Sequence, residues 1–230
     1  MSGAPTPGPL RSYGRVKGRP LRANQARAMA DAAPRLAIPD GPLDLPALFP
    51  GADVFALEIG FGGGEHLAAQ AAQRPDWGFL GVEPFLNGVA KAISAVEAAG
   101  LANVRLRQGD VRDLLPQLPD GALERVDMLF PDPWPKTRHW KRRLVQPALL
   151  AEIARVLRPG GAFRFATDWA HYAAWTLERL LAEPRLAWTA ETARDWREPW
   201  PGHTPTRYQE KCLGDHAPIW ITAIRRGEAP

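Results

Sequence analysis

The chain has 230 residues, of which 45% are hydrophobic and 9% aromatic, so it is long enough to bury a core as one full-sized domain or at most two small ones. It contains a single cysteine, which excludes a secreted scaffold held by disulfides within the chain. No stretch approaches the ~18–20 apolar residues of a membrane helix, and the basic N-terminus lacks the apolar core of a signal peptide. These features predict a cytoplasmic protein.

The formal net charge of +4 conceals an uneven distribution. Residues 1–30 carry six basic side chains and no acid, residues 133–151 carry five and no acid, and the rest of the chain therefore sums to −7. Basic blocks on an otherwise acidic chain indicate a polyanionic partner such as a nucleic acid. A solvated basic leader in an arginine-rich chain would explain the same charges without a partner.

Short apolar runs alternate with helical patterns from residue 53 onwards. This alternation predicts one α/β domain over residues 53–230, in which a mostly parallel central sheet carries helices on both faces. Residues 1–30 are expected to form a flexible basic segment and residues 31–52 a Pro-rich connection. Strands are predicted at 54–59, 77–82, 104–107, 126–130, 162–166, 186–189 and 219–224, and helices at 65–73, 85–99, 111–118, 144–157 and 171–181.

A glycine-rich turn, EIGFGGGE from Glu58 to Glu65, follows the first predicted strand. Glycines at such a turn let the backbone approach a ligand closely. The spacing G-x-G-x-G departs from the G-x-G-x-x-G of dinucleotide-binding loops. The two flanking acids would oppose a pyrophosphate, but not a ligand with a cationic amino-acid end. The pattern resembles motif I of S-adenosylmethionine-dependent methyltransferases, and a tight turn without a ligand is the alternative.

Two further acids follow the next two predicted strands. Glu83 ends the second strand, where a carboxylate can accept hydrogen bonds from both ribose hydroxyls, as it also does in NAD enzymes. Asp110 ends the third strand, where it can accept from the exocyclic amino group of adenine. The alternatives are a solvated loop acid at Glu83 and a common Gly-Asp turn at Asp110. Because ligands of such sheets bind outside the carboxyl ends of the strands, these acids are expected in one site.

The fourth predicted strand leads into FPDPWPKTRHWKRR, residues 130–143. Three prolines within five residues make a rigid loop that presents Asp132 and Trp134. A carboxylate can hydrogen-bond a guanine edge, and an indole can stack on a base. The basic side chains that follow are candidates for phosphate contacts: Lys136, Arg138, His139, Lys141, Arg142 and Arg143. A Pro-rich turn before a basic helix start is the alternative, but positive charge is unfavourable at a helix N-terminus.

Two more polar segments lie near predicted strands, one directly after the fifth strand and one before the last. In FATDW, Thr167 and Asp168 end the fifth predicted strand, and either is also a candidate N-cap of the next helix. The loop before the last strand mixes donors, acceptors and an aromatic ring over Thr206–Lys211. The five histidines show no metal-ligand spacing, and a single cysteine makes no zinc motif, so no metal is predicted.

Together, the motifs ALEIGFGGGEHL, GVEPF, QGDVRDLL, LFPDPWPKTRHWKRRLV and FATDW resemble the tRNA (guanine-N7-)-methyltransferase family of the bacterial TrmB type. The resemblance covers roughly residues 53–226, and the basic stretch 13–25 is similar to the family's N-terminal segment. The PDPW-x-K-x-RH-x-KRR block is specific to that family, whereas class I methyltransferases in general share the other motifs. The resemblance implies a Rossmann-like class I fold and methylation of guanine 46 at N7 in the tRNA variable loop, with S-adenosyl-L-methionine as methyl donor. It implies tRNA as the partner and no obligatory protein partner.

The resemblance also implies roles for individual residues. The residues that match the S-adenosylmethionine site are Glu58, Gly60, Glu83, Asp110 and Asp132. Asp132 is in addition the implied catalytic residue. The implied substrate contacts are Lys136, Asp168, Thr206, Arg207, Tyr208 and Gln209, and the implied RNA contacts are Arg138, His139, Lys141, Arg142 and Arg143. The family motif T-x-[FY]-E has a glutamate where this chain has Gln209.

Three other functions remain as alternatives. A nicotinamide-dependent oxidoreductase shares the fold, but the G-x-G-x-G spacing argues against it. A catalytically silent RNA-binding protein would not need the acids that stand at the ends of the first four strands. An exocyclic-amino RNA methyltransferase is suggested by Asp132-Pro133-Trp134, which resembles a D-P-P-[YF] motif, but the second proline is missing and the block behind it is basic.

Overall fold

A computed structural model describes residues 13–14, 16, 18–211 and 213–227. The predicted flexibility of residues 1–12 thus lies outside the described residues. The helices are α1 (Ala23–Leu36), α2 (Leu45–Leu48), α3 (Glu65–Gln73), α4 (Leu86–Ala98), α5 (Val111–Leu114), α6 (Pro147–Val156), α7 (Ala170–Leu181) and α8 (Arg194–Arg197). The strands are β1 (Val54–Ile59), β2 (Trp77–Glu83), β3 (Val104–Gln108), β4 (Leu123–Leu129), β5 (Leu157–Thr167), β6 (Leu186–Trp188) and β7 (Ile219–Arg225). Short 3-10 turns lie at Leu115–Gln117, Thr137–Arg142 and Gln209–Lys211.

The seven strands form one sheet in the order β3-β2-β1-β4-β5-β7-β6. Strands β1 to β5 pair in parallel, while β7 runs antiparallel to both β5 and β6. The predicted α/β fold with a mostly parallel sheet is confirmed. The chain builds outwards from β1 in one direction and from β4 in the other, so their carboxyl ends flank the crevice where such sheets bind ligands.

Alternate residues of each central strand pack against opposite helical layers. On β1, Phe55, Leu57 and Ile59 belong to a buried cluster that includes residues of α6 and α7, whereas Ala56 belongs to one that includes residues of α1 and α4. Burial on both faces explains why β1 and β2 are nearly continuous apolar runs in the sequence. None of the described helices is both long and apolar enough to cross a bilayer.

No helix is predicted before residue 53 from the sequence, yet α1 and α2 are present. Helix α1 runs through residue 30 and packs on α4, burying Ala32 and Leu36 while Arg27 and Asp31 form an exposed pair. The buried face of α1 is made mostly of alanines, so its helical periodicity is weak in the sequence, and the interior Pro34 disfavours a helix. Tertiary packing on α4 therefore determines that α1 forms.

Strand β5 also begins earlier than predicted, at Leu157 rather than residue 162. Leu157 pairs with Leu123 across a register shift, and the strand continues through the Pro-Gly-Gly sequence that reads as a helix stop. A Cβ on Gly161 would lie 2.9–3.0 Å from three backbone carbonyl oxygens, so this close approach requires glycine.

Candidate active site

A cavity of about 620 Å³ opens at the carboxyl ends of the central strands. The loops after β1, β2, β3 and β4 contribute to its wall, together with the segment that precedes β7. The residues predicted for the cofactor site all line it: Glu58, Gly60, Glu83, Asp110 and Asp132. Parallel strands thus bring into one place acids that are up to 74 positions apart in the chain.

The glycine loop after β1 forms one wall of the cavity. Gly60 adopts φ +73°, its N–H donates to the Val82 carbonyl at 2.8 Å, and a Cβ there would meet no atom within 4 Å. Gly64 adopts φ +79°, and a Cβ there would lie 2.6 Å from the Ala92 Cβ on α4. Glycine is therefore required at Gly64 by packing and at both positions by backbone conformation, which leaves the loop backbone open to a ligand.

Glu83 braces two segments of the wall from the end of β2. Its Oε2 accepts from the Gly62 N–H and its Oε1 accepts from the Phe85 N–H, both at 2.9 Å. Burial raises the pKa of Glu83 despite these hydrogen bonds, which oppose the rise. Each carboxylate oxygen has a second lone pair, so the group can accept from ligand hydroxyls while it holds the backbone.

Asp110 has a structural partner that the sequence analysis missed. Its Oδ1 accepts from the Arg112 backbone N–H at 3.0 Å, which caps α5, and from the Arg112 Nε at 2.8 Å. Arg112 also lines the cavity. Asp110 therefore has the turn-forming role that the alternative describes. The adenine contact stays a prediction, and in it the carboxylate would bind adenine and Arg112 at the same time. The D-x-R spacing was the available signal for this pair.

Glu58 lies deeper, in a buried polar cluster beneath the glycine loop. Its Oε2 is 2.8 Å from the His66 Nδ1, and both side chains are buried. The neighbouring β4 contributes the buried pair Arg125–Asp127, also at 2.8 Å. Burial raises the pKa of Glu58. For His66, burial acts to lower the pKa, but the charge and hydrogen bond of Glu58 outweigh it and raise the pKa.

We expect the replacement Glu58→Gln to lower the pKa of His66, because it removes the carboxylate and leaves the effect of burial. A raised pKa in the folded state means that folding binds the His66 proton more tightly, so this proton contributes a stabilisation of the fold below pH 6.5. That stabilisation is lost as the pH rises through the raised pKa. Titration of the His66 ring protons by NMR measures both forms, and an unchanged titration in Glu58→Gln would contradict the assignment.

The loop after β4 places Asp132 in the cavity wall, where the residue is partly accessible to solvent. Phe130 and Trp134, on either side of it, adopt the unusual φ values of +50° and +43°. The Phe130 N–H donates to the Ala166 carbonyl at 2.7 Å, which ties the loop to the end of β5. Desolvation by the surrounding wall raises the pKa of Asp132. The loop therefore holds a carboxylate at a defined place with backbone strain.

The segment before β7 also contributes to the cavity wall. Thr206, Arg207 and Tyr208 line the cavity, and the Tyr208 ring lies 5.7 Å from that of Phe130. Gln209 is outside the lining; its Oε1 is 2.8 Å from the His203 Nε2. Burial lowers the pKa of His203, which favours the neutral ring. A neutral ring that donates through Nε2 suits an amide oxygen, which gives a local reason for glutamine at this position.

Asp168 is placed behind the cavity wall rather than in it. It is 3% exposed, and its Oδ2 accepts from the Gly214 N–H at 2.7 Å. Its backbone carbonyl accepts from the His216 N–H at 2.9 Å. The N-cap alternative is not observed, because α7 begins after Trp169. In this structure Asp168 anchors the end of the segment that carries Thr206–Lys211.

The basic block forms a 3-10 turn beside the cavity mouth. Lys136, Arg138 and Lys141 are exposed and His139 is half-buried, so the turn offers a positive surface. The guanidinium of Arg142 lies 5.0 Å from the Trp134 ring centroid, and Arg142 lines the cavity. Arg143 differs: it is 2% exposed, and this burial does not agree with the predicted phosphate contact, because an interior guanidinium cannot reach an RNA backbone.

Comparisons with known proteins agree with this arrangement. A family model described as "Putative methyltransferase" matches residues 52–222. The tRNA (guanine-N(7)-)-methyltransferase of Caulobacter sp. (strain K31) is 52% identical over 219 residues, which cover 95% of this chain and 96% of the relative. That of Hyphomonas neptunium is 49% identical and covers 92% and 98% of the two chains.

The chain belongs to the tRNA (guanine-N7-)-methyltransferase family. The resemblance seen in the sequence is thereby confirmed. Among solved structures, this family member superimposes on TrmN from Thermus thermophilus with a TM-score of 0.53 and 18% identity over 76% of this chain and 44% of TrmN. It superimposes on the antibiotic-resistance methyltransferase Kmr with a TM-score of 0.58 and 17% identity over 84% and 96% of the two chains. At these identities the likeness shows the methyltransferase fold.

A methyltransferase of this fold uses S-adenosylmethionine, and the cavity suits that molecule. Its volume accommodates a nucleoside with an amino-acid arm. The open backbone at Gly60 permits close approach, and the acids Glu58 and Glu83 suit a ligand that carries an ammonium and a sulfonium cation. The wall also includes the basic side chains of Lys91 and Lys211, which the sequence analysis did not assign.

Proposed function

We propose that this protein transfers the methyl group of S-adenosyl-L-methionine to N7 of guanine 46 in the tRNA variable loop, giving 7-methylguanosine. One observation carries the proposal: Asp132 lies in the wall of the cavity that contains the glycine loop, while the exposed basic turn begins five residues further along. A cofactor pocket, a placed carboxylate and a phosphate-binding surface thus adjoin. The curated relatives that bear the name support the reaction. The cytoplasm is the proposed location.

The cofactor-binding roles follow from the position of each acid in the wall. Glu83, at the end of β2, accepts from the ribose hydroxyls while it holds the Gly62 and Phe85 N–H groups. Asp110, at the end of β3, accepts from the adenine amino group. Glu58 and Gly60 serve the amino-acid end, where the carboxylate offsets the ammonium charge and the glycine backbone allows contact.

The chemistry demands alignment more than proton removal. When bound, S-adenosylmethionine supplies an electrophilic sulfonium methyl. Guanine N7 carries a free lone pair, so no proton has to leave before it attacks and no strong general base is needed. The protein's task is to hold N7 in line with the methyl and the leaving sulfur. The methylated base is cationic, and the Asp132 carboxylate stabilises that developing charge.

The remaining predicted contacts divide between base and backbone. Tyr208 and Thr206, which line the cavity together with Asp132, hold the guanine with Arg207 beside them. Gln209 and Asp168 act through the segment that they anchor. Lys136 and the side chains of the basic turn that are not buried contact tRNA phosphates: Arg138, His139, Lys141 and Arg142.

The product distinguishes this proposal from methylation of an exocyclic amino group. Purified protein is incubated with S-adenosylmethionine and a tRNA transcript, and the methylated nucleoside is identified by mass spectrometry after digestion. Aniline-induced cleavage at 7-methylguanosine then maps the position, with a transcript that carries adenine at position 46 as the control. A methylated exocyclic amine, or cleavage at another guanine, would overturn the proposal.

The exposed basic turn predicts steep salt dependence of tRNA binding. Replacing Arg138 or Lys141 by glutamine should reduce the slope of log affinity against log salt by roughly 0.7–0.9 for each phosphate contact that is lost. Filter binding across a salt series measures the slope. Arg158→Gln is the matched control, because Arg158 pairs with Glu124 near the amino ends of β4 and β5, whereas the cavity lies at the carboxyl ends of the strands.

The control should keep the wild-type slope. If Arg138→Gln and Lys141→Gln also keep it, the turn does not bind phosphates. If Arg158→Gln flattens it equally, the effect reflects overall charge rather than this surface.

A further inference from the structure

Arg143 is buried at the end of the basic turn and contacts the loop that presents Asp132. Its Nε donates to the Pro133 carbonyl oxygen at 2.9 Å, and Pro133 is the residue directly after Asp132. Its Nη1 lies 3.1 Å from the His171 Nδ1 on α7. The first contact is to the loop after β4 and the second is to α7, so Arg143 connects the loop to a rigid element.

The guanidinium is surrounded by aromatic rings. Its central carbon lies 4.9–5.0 Å from the ring centroids of Trp140, Tyr172 and Trp175. A buried cation without compensation would be costly, and cation–π contacts with three rings supply that compensation. The planar fork of arginine, always protonated, is held in one orientation by such a cage. The direction of the Nε–H towards Pro133 is thereby set.

The loop requires such a restraint. Phe130 and Trp134 hold backbone conformations that bulky residues rarely adopt, and strained conformations persist only where the surroundings impose them. The Phe130 end is tied to β5 through the Ala166 carbonyl. The other end of the Asp132 turn is tied by Arg143. The carboxylate sits between these two attachments, so its position depends on both.

We propose that Arg143 is a positioning residue for methyl transfer, which holds the Pro131–Pro135 loop so that Asp132 faces the reacting atoms, and that it is not a phosphate contact. The inference rests on the proposed function, since it acts through Asp132. It separates Arg143 from the exposed side chains of the same basic block. It also explains why an arginine stands at a buried position, where it is not exposed for contact with RNA.

Arg143→Met keeps the length and apolar bulk of the side chain but removes its charge and donors. We expect the single-turnover methylation rate at saturating tRNA and cofactor to fall at least tenfold. The affinity for tRNA and its salt slope should stay at the wild-type values, in contrast to Lys141→Gln. Arg143→Lys restores a charge and a donor without the planar fork, so it should recover part of the lost rate.

Two controls separate positioning from packing. Arg179→Met removes a guanidinium that lies over the same Trp175 ring but makes no described contact with the loop, so it should lower the melting temperature with little change in rate. Combining Arg143→Met with Asp132→Ala should slow the reaction no further than Asp132→Ala alone, because Arg143 acts only through the position of the Asp132 carboxylate.

The outcomes are decisive in either direction. A flattened salt slope with a normal rate would make Arg143 a phosphate contact, and lowered stability with a normal rate would make it a packing residue; either overturns the proposal. If Arg143→Met does not fold, Arg143→Lys carries the same comparison. The wild-type protein in the same assay tests the proposed function separately, since its failure to methylate N7 would refute that function whatever the variants do.

Discussion

Replacing Asp132 by asparagine should slow single-turnover guanine methylation by about 10²–10³-fold, the scale of one lost electrostatic stabiliser. The substitution keeps the shape and hydrogen-bonding atoms of the side chain and removes only its charge. Prolines on both sides and the strained Phe130 and Trp134 hold this side chain in place, so the loss reflects charge rather than disorder. Quench-flow methylation at saturating tRNA and cofactor measures the rate.

The pH profile provides an independent check on Asp132. Because desolvation raises its pKa above the ordinary 3.8, the acid limb of the wild-type rate should lie above pH 3.8. Protonation at lower pH removes the negative charge, so the rate falls there. Asp132→Asn has no such proton to bind and should lose this limb.

Two comparisons exclude other roles for Asp132. If the carboxylate only positions the base, Asp132→Asn retains much of the rate and Asp132→Ala does not. If Asp132 only shapes the turn, both variants are less stable but turn over normally in the folded fraction, which circular dichroism quantifies. Asp113→Asn, an exposed acid on the nearby α5, is the matched control and should keep the wild-type rate.

Replacing Glu83 by alanine should weaken S-adenosylmethionine binding by about 1–3 kcal/mol, or roughly 5- to 150-fold in Kd, the scale of hydrogen bonds to a charged group. The carboxylate is proposed to accept from the ribose, and it also holds the Gly62 and Phe85 N–H groups. Its removal takes away ligand contacts and loosens the glycine loop at the same time. Calorimetric titration of the folded variant measures the affinity.

Glu97→Gln is the matched control for Glu83, because Glu97 is an exposed acid at the far end of α4 that pairs with Arg35. It should leave cofactor affinity unchanged. Unchanged affinity in Glu83→Ala would remove Glu83 from the binding site. Affinity for tRNA at saturating cofactor should hardly change in either variant, since neither side chain lies in the basic turn.

The sequence by itself determined the layout of this protein. Strands buried on both faces are rich in apolar residues, and a glycine or an acid lies at or shortly after the ends of β1 to β4. The sheet and the common position of Glu58, Glu83, Asp110 and Asp132 could therefore be predicted from local patterns. The unusual block from Pro131 to Arg143 pointed to the family. These features depend on residues close together in the chain or on general rules of sheet topology.

Other features depended on contacts between residues distant in sequence. Helix α1 has too few large apolar residues to be recognised alone, and its existence depends on α4. Strand β5 runs through a Pro-Gly-Gly sequence because Leu157 pairs with Leu123. In both elements tertiary contacts override local propensity.

Only the tertiary structure distinguished the members of the basic block. Lys141 and Arg143 are two positions apart and chemically alike, so nothing local separates an exposed cation from a buried one. The difference arises because Tyr172 and Trp175 of α7 come to lie beside the turn and enclose Arg143. Likewise, His66 reaches Glu58 because α3, which begins directly after the glycine loop, packs on the sheet. The positions of the strand ends could be predicted from the sequence. The partners of Arg143 and Glu58 were determined by packing between the helices and the strands.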